Sequence, residues 1–130
     1  MTEAPLKVLL ADADPLQREG WRLVIDAQPD LAVVGEVPDG VQLLARLRRL
    51  EVDVVVADVR MPRLGGLQAL EQARTDARVH LTQRATGLRT VLVTATDPDR
   101  YAPLGLAAGA SAVLWKGVDP EALLAAVRGA

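Results

Sequence analysis

The chain predicts an α/β fold: one parallel five-stranded sheet with helices on both faces. Three observations predict it. Short apolar runs rich in β-branched residues recur five times along 130 residues. Segments with helical spacing separate them, so that strand and helix alternate strictly. The runs are also apolar throughout rather than at every second position, as in strands covered on both sides. The length suits a single domain, residues 1–130, with one core and one site.

Leu6 to Ala11 is the first run. Asp14 then stands as an N-cap and Pro15 at the first helical position of a helix running to Ala27. Its spacing assigns Leu16, Gly20, Leu23, Val24 and Ala27 to the inward face, which leaves Trp21 and Ile25 off the core stripe, partly buried or open to a partner. Leu31 to Gly35 is the second run. Asp39 caps a helix from Gly40 to Leu50 with Leu43, Leu44, Leu47 and Leu50 inward, and Val52 to Ala57 follows as the third run. A third helix is expected from Gly66 to about Arg84, with the polar stretch Thr75 to Arg89 read as helix extension plus loop. Thr90 to Thr94 is the fourth run. Asp99 to Ala108 is a weak helix, kept short or mobile by Pro103 and Gly105. Ala112 to Trp115 is the fifth run, and Asp119-Pro120 opens a last helix through Arg128.

Composition narrows the chemistry. There is no cysteine, which excludes disulfides and thiolate metal sites. No apolar run reaches the ~18 residues that a membrane crossing needs. Met1 to Pro5 has neither the basic flank nor the apolar stretch of a secretory signal, so a cytoplasmic location is expected. A net charge of -2 with scattered arginines gives no nucleic-acid footprint. Of the fifteen basic residues only Lys7 and Lys116 are lysines. A lysine is thus a rare choice in this chain.

Ligands of open α/β sheets bind at the carboxyl ends of the strands. The first run ends at Asp12, the third at Asp58, the fourth at Thr94 and the fifth at Lys116, whereas the second, at Glu36-Val37, looks ordinary. Singly, each residue reads as a loop cap, a β-former or a surface charge. Together, two acids, a hydroxyl and a cation at one sheet edge suit phosphoryl transfer to a carboxylate, with magnesium held by acidic oxygens. The acids of "VLLADADP" also resemble the first motif of haloacid-dehalogenase-type phosphatases. Leu16 departs from that motif, however, and it would leave Asp58 without a role.

From end to end the sequence resembles the response-regulator receiver domain, of the CheY-like superfamily and its NarL/FixJ-type branch. The resemblance rests on "VLLADADP", "PDLAVVGEVPDG", "VDVVVADVRMPRLGG", "TVLVTA" and "AAGASAVLWKGVDPEALLAAVR", and only Thr75 to Arg89 looks foreign. It implies a flavodoxin-like sheet of order 2-1-3-4-5, for which CheY is a standard example. It implies Asp58 as phosphoacceptor and a magnesium site made of Asp12, Asp58 and the backbone carbonyl of Arg60. Thr94 would take a phosphoryl oxygen, with small Ala95 leaving room beside it, and Lys116 would pair with the carboxylates and then the phosphoryl group. A sensor histidine kinase is the implied donor, and a homodimer or partner switch, controlling transcription, the implied output. Catalysis would extend no further than self-phosphorylation and autodephosphorylation. DNA would be met only through a C-terminal helix-turn-helix domain, which does not lie within these 130 residues.

The sequence departs from that pattern at several places. Ala13 stands where the family has its second acid and better metal ligand, which predicts weakened magnesium binding and slow or donor-selective phosphorylation. Val113 replaces the usual switch aromatic, while Gly65 and Gly117 replace a frequent aspartate and proline. Ala13 and Val113 favour an alternative: a degenerate receiver serving as a phosphorylation-independent dimerisation or binding module. His80 and the cluster Arg46, Arg48 and Arg49 read as solvated, and Trp115 as packed under the last helix.

Overall fold

The computed structural model describes residues 4–83 and 87–129. Five strands, β1 (Leu6–Ala11), β2 (Leu31–Val37), β3 (Val54–Asp58), β4 (Arg89–Thr94) and β5 (Ala112–Trp115), pair in parallel in the order β2-β1-β3-β4-β5. The sheet order is the one the resemblance implied. Six helices connect and follow them: α1 (Pro15–Asp26), α2 (Gly40–Leu47), α3 (Gly66–Ala73), α4 (Ala77–Thr82), α5 (Ala102–Ala107) and α6 (Pro120–Arg128), with a 3-10 turn at Pro98–Arg100 before α5. No described helix is long and apolar enough to cross a membrane.

The apolar runs become central strands because both of their faces are covered. Alternate residues of β1, β3 and β4 feed two separate cores, and Val8, Leu9, Leu10, Val54, Val56, Val91 and Leu92 are fully buried. One core holds Leu43, Leu44 and Leu47 of α2 with Leu67, Ala69 and Ala73 of α3 and Val79 of α4. The other holds Trp21 and Ile25 of α1 with Leu123, Leu124 and Val127 of α6.

Three expectations need correction. In α1 the core stripe is Trp21 and Ile25, 6% and 0% exposed, with the expected Val24 half-buried beside them, whereas Leu16 and Leu23 are 75% and 67% exposed. The helix carries two apolar stripes on opposite sides, and the one with the bulky indole and the branched isoleucine fills the space over the sheet. The single long third helix is instead two. Arg74 closes α3, and Asp76, in extended backbone, accepts hydrogen bonds from Arg78 N (2.9 Å) and Val79 N (3.0 Å), starting α4 as a proper N-cap. The predicted end at Arg84 lies outside the described residues. Trp115, finally, is half exposed rather than packed under α6, and its ring lies across Gly117.

The other caps hold in part. Asp14 accepts from Leu16 N and Asp39 from Gln42 N, as the sequence predicts. Asp119 occupies the N-cap of α6 without a side-chain hydrogen bond, so Pro120 alone preorganises that helix start. α5 is short, and Gly105 lets it approach β5 closely: a Cβ there would lie 2.7 Å from Val113 Cγ2.

Candidate functional site

Parallel register brings the strand ends together. Ala11 pairs with Ala57 across β1 and β3, which places Asp12, just past β1, beside Asp58, the last residue of β3. Lys116, one residue past β5, donates its backbone N–H to Thr94 O (2.8 Å), and its side chain reaches back over β4. Lys116 Nζ donates to Asp12 Oδ2 at 2.6 Å and to Asp58 Oδ2 at 2.8 Å. Of the four residues expected to converge, these three do.

The backbone orients both carboxylates. Asp12 Oδ1 accepts the N–H of Asp14 at 2.8 Å and Asp58 Oδ1 that of Arg60 at 3.1 Å, each two residues on. One oxygen of each acid thus faces the ammonium while the other is tied to its own loop. The side chain of Asp12 is 2% exposed and that of Asp58 13% exposed, so Asp58 is the acid that a reagent can reach. Burial alone would lower the Lys116 pKa, but hydrogen bonds to Asp12 and Asp58, together with their charges, outweigh it and hold the pKa above the ordinary lysine value. Lys116 therefore stays charged at neutral pH, and two carboxylates around one ammonium leave the site net negative.

Thr94 is placed differently. Its side chain is buried, but its hydroxyl accepts from Thr96 N at 3.1 Å and shares a hydrogen bond with Thr96 Oγ1 at 3.1 Å. The hydroxyl makes no hydrogen bond to either acid or to the Lys116 side chain. Ala13 is exposed beside Asp12 and adds no donor. Among the described residues, no group of three or more His, Cys, Asp and Glu side chains is arranged to hold a metal. The donors that remain are all oxygens, as magnesium prefers, and magnesium tolerates few carboxylates when water and phosphate complete its shell. The residues present fit that ion, with one carboxylate fewer than expected.

A second layer went unread in the sequence. Glu36, at the apparently ordinary end of β2, receives Arg18 Nε at 3.1 Å and also pairs with Arg22. Arg18 donates in addition to the backbone carbonyl of Asp12, so α1 is bolted to the strand end that carries the acid. The available signal was a lone acid closing a strand opposite two arginines one helical turn apart. On the other side of the site, Gly40 N donates to Leu64 O at 2.8 Å and Arg63 approaches Asp39 at 3.8 Å, tying the loop after Asp58 to α2.

The family model of the response regulator receiver domain matches residues 8–128 of this chain. The chain belongs to that family. Similar proteins agree on the branch. The receiver is 36% identical over 130 residues to the uncharacterized transcriptional regulatory protein YxjL of Bacillus subtilis, covering 100% of this chain and 56% of that protein. It is 33% identical over 129 residues to the nitrate/nitrite response regulator protein NarP of Escherichia coli, covering 98% of this chain and 56% of that one. The chain thus spans little more than half the length of these relatives. Among solved structures, the signal receiver domain of the putative response regulator NarL from Mycobacterium tuberculosis superposes with a TM-score of 0.78 at 27% identity, covering 98% of this chain and 100% of that one. This is a receiver domain of the NarL type, the signalling module of two-component response regulators.

Proposed function

We propose that this receiver accepts a phosphoryl group on Asp58 from a histidine kinase in the cytoplasm and, in doing so, changes its contacts with partners or a second copy, the output being transcriptional. The observation that carries the assignment is the shared Lys116 ammonium: it neutralises part of both carboxylates, while only Asp58 is open enough to react. An Asp58 carboxylate oxygen forms the bond to phosphorus as the bond from phosphorus to the donor's histidine nitrogen breaks, and the electron pair returns to the imidazole. Lys116 then turns from the carboxylate to a phosphoryl oxygen. Thr94 accepts from Thr96 N, and its hydroxyl proton would turn to another phosphoryl oxygen.

Asp12, Asp58 and the carbonyl of Arg60 would hold magnesium, whose role is to neutralise charge on the phosphoryl oxygens. Incubation with acetyl phosphate and magnesium, read by intact mass, should give a single adduct that is absent from Asp58→Asn. An unmodified parent chain at high magnesium would refute the assignment. A second reading draws on Ala13 and on the engaged Thr94 hydroxyl: a receiver whose partner binding is independent of phosphate. Unchanged partner binding by Asp58→Asn would favour that one.

A further inference from the structure

Asp12 stands alone where the family has two adjacent acids, Ala13 having replaced the second, and every polar atom of Asp12 has a partner. Its N–H donates to Val37 O at 3.1 Å, its Oδ1 accepts from Asp14 N at 2.8 Å and its Oδ2 from Lys116 Nζ at 2.6 Å. The backbone carbonyl completes the set, because Arg18 NH1 donates to it from α1. The side chain of Asp58 is tied in the same two ways, at Oδ1 by Arg60 N and at Oδ2 by Lys116, but no described side chain takes its backbone carbonyl. One acid is therefore fixed at every polar atom, and the other is left open enough to react.

The contact at the carbonyl reaches the carboxylate. The carbonyl of Asp12 and the N–H of Ala13 lie in one planar peptide, so a guanidinium that fixes the oxygen fixes the plane, and with it the direction in which the chain leaves for Asp14. Asp14 N is the donor that holds Asp12 Oδ1. Arg18 is itself aimed from β2: its Nε donates to Glu36 Oε1 at 3.1 Å, and Arg22, one helical turn on, pairs with the same carboxylate. Both Arg18 and Glu36 are half-buried. The planar fork of a guanidinium serves the two acceptors at once, in a geometry that a lysine ammonium on its flexible stem does not reproduce. By charge alone Arg18 would repel a metal ion arriving at the acids, but Glu36 offsets that charge, so what Arg18 supplies is position.

We propose that Arg18 is a positioning residue of the phosphoacceptor site: by holding the Asp12 carbonyl it sets the Asp12 carboxylate for magnesium, and Glu36 sets Arg18. This rests on Asp58 being the acceptor and on Asp12 sharing its metal. Arg18 touches neither the metal nor the phosphoryl group and acts only through Asp12. With Ala13 supplying no oxygen, a misplaced Asp12 has no neighbouring acid to compensate for it.

Calorimetric titration of the unphosphorylated protein with magnesium tests this, with the acetyl-phosphate adduct followed by intact mass over the same magnesium range. Arg18→Met keeps the stem and removes the donors. It should bind magnesium about tenfold more weakly, as loss of a group that orients a metal ligand does. It should also need correspondingly more magnesium to form the adduct, yet reach the parent rate once the metal saturates. Arg18→Lys keeps the charge without the fork and should lose affinity as Arg18→Met does. Ile25→Val, which loosens α1 in the core and lies away from the acids, should keep the parent affinity. Tighter magnesium binding by Arg18→Met, or full affinity in Arg18→Lys, would reduce Arg18 to its charge and overturn the proposal. An equal loss in Ile25→Val would overturn it too, by making the effect one of helix stability. An adduct on the parent with unaltered affinity in Arg18→Met, or with no magnesium bound to the parent, would defeat the positioning role and leave the acceptor standing. Absence of any adduct on the parent would defeat the acceptor assignment and the positioning role with it.

Discussion

Asp12, Asp58 and Lys116 form a three-body ion cluster in which two acids share one cation, and its behaviour follows from that count. Lys116→Met removes the group that offsets negative charge where the phosphoryl group must arrive. Its rate of phosphorylation by acetyl phosphate should fall about 100-fold, the usual loss when one preorganised donor is removed. Ala13→Asp returns an oxygen ligand next to Asp12, and magnesium affinity measured by titration should tighten about tenfold, equivalent to ~1.4 kcal/mol. A site distorted beyond repair would show no gain. These three residues were legible in the sequence because each closes an apolar run, and parallel register carries such closing residues to one edge. Thr96 was not legible, and Glu36 and Arg18 only through the strand-closing acid and the arginines one helical turn apart. Their contacts depend on how far a side chain reaches between elements, which local pattern encodes poorly.

At the scale of elements, α1 shows how a correct helix can be turned the wrong way. Periodicity located the helix and its Asp14 cap, but two apolar stripes competed for the core, and only packing against the sheet decides between them. Ile25→Ala should therefore destabilise the fold by about 2–5 kcal/mol in urea unfolding, as truncation of a fully buried side chain does. Leu23→Ser, on the stripe the spacing favoured, should stay within about 0.5 kcal/mol of the parent. The break between α3 and α4 was missed for a related reason: Thr75 and Asp76 are polar residues that a solvated helix tolerates, and only the extended backbone of Asp76 makes it a cap. The guanidinium of Arg48 holds the Asp76 carboxyl below the ordinary carboxylate pKa, with backbone bonds from Val79 and Arg78 adding to the effect. Its contribution is thus present above the ordinary value of about 3.9 and is lost as pH falls through the lower folded one. Exchange at α4 should rise in acid below about pH 4 before the sheet opens. Gln83→Leu, which strands the Leu47 and Leu50 carbonyls and the Val52 amide, should loosen the same helix at neutral pH by about 1–3 kcal/mol.

For the whole molecule, strict alternation of strand and helix made the parallel sheet legible, but not the order of its strands, which alternation leaves open and the family resemblance supplied. Two cores on either side of one sheet make the site a property of the entire chain: the residues facing each other at the strand ends come from positions 12, 58 and 116, and each depends on both layers. Lys116 links the ion cluster to global stability. Its folded pKa is raised, so its contribution is complete below the ordinary lysine value of about 10.4 and fades as pH rises through the folded one. Thermal unfolding should show a stability loss above about pH 10 that is absent from Lys116→Met.

The two tryptophans sit in opposite settings. Trp21 is sealed at 6% exposure between α1 and the sheet, while Trp115 is 50% exposed, laid over Gly117 and adjacent in sequence to Lys116. The protein therefore carries two optical channels that report on different events. Emission from Trp21 should be blue-shifted and report loss of the core, whereas Trp115, open to acrylamide, should report changes at the acid edge. In Trp21→Phe, a change in the remaining emission on adding acetyl phosphate and magnesium would give the proposed phosphorylation a label-free readout.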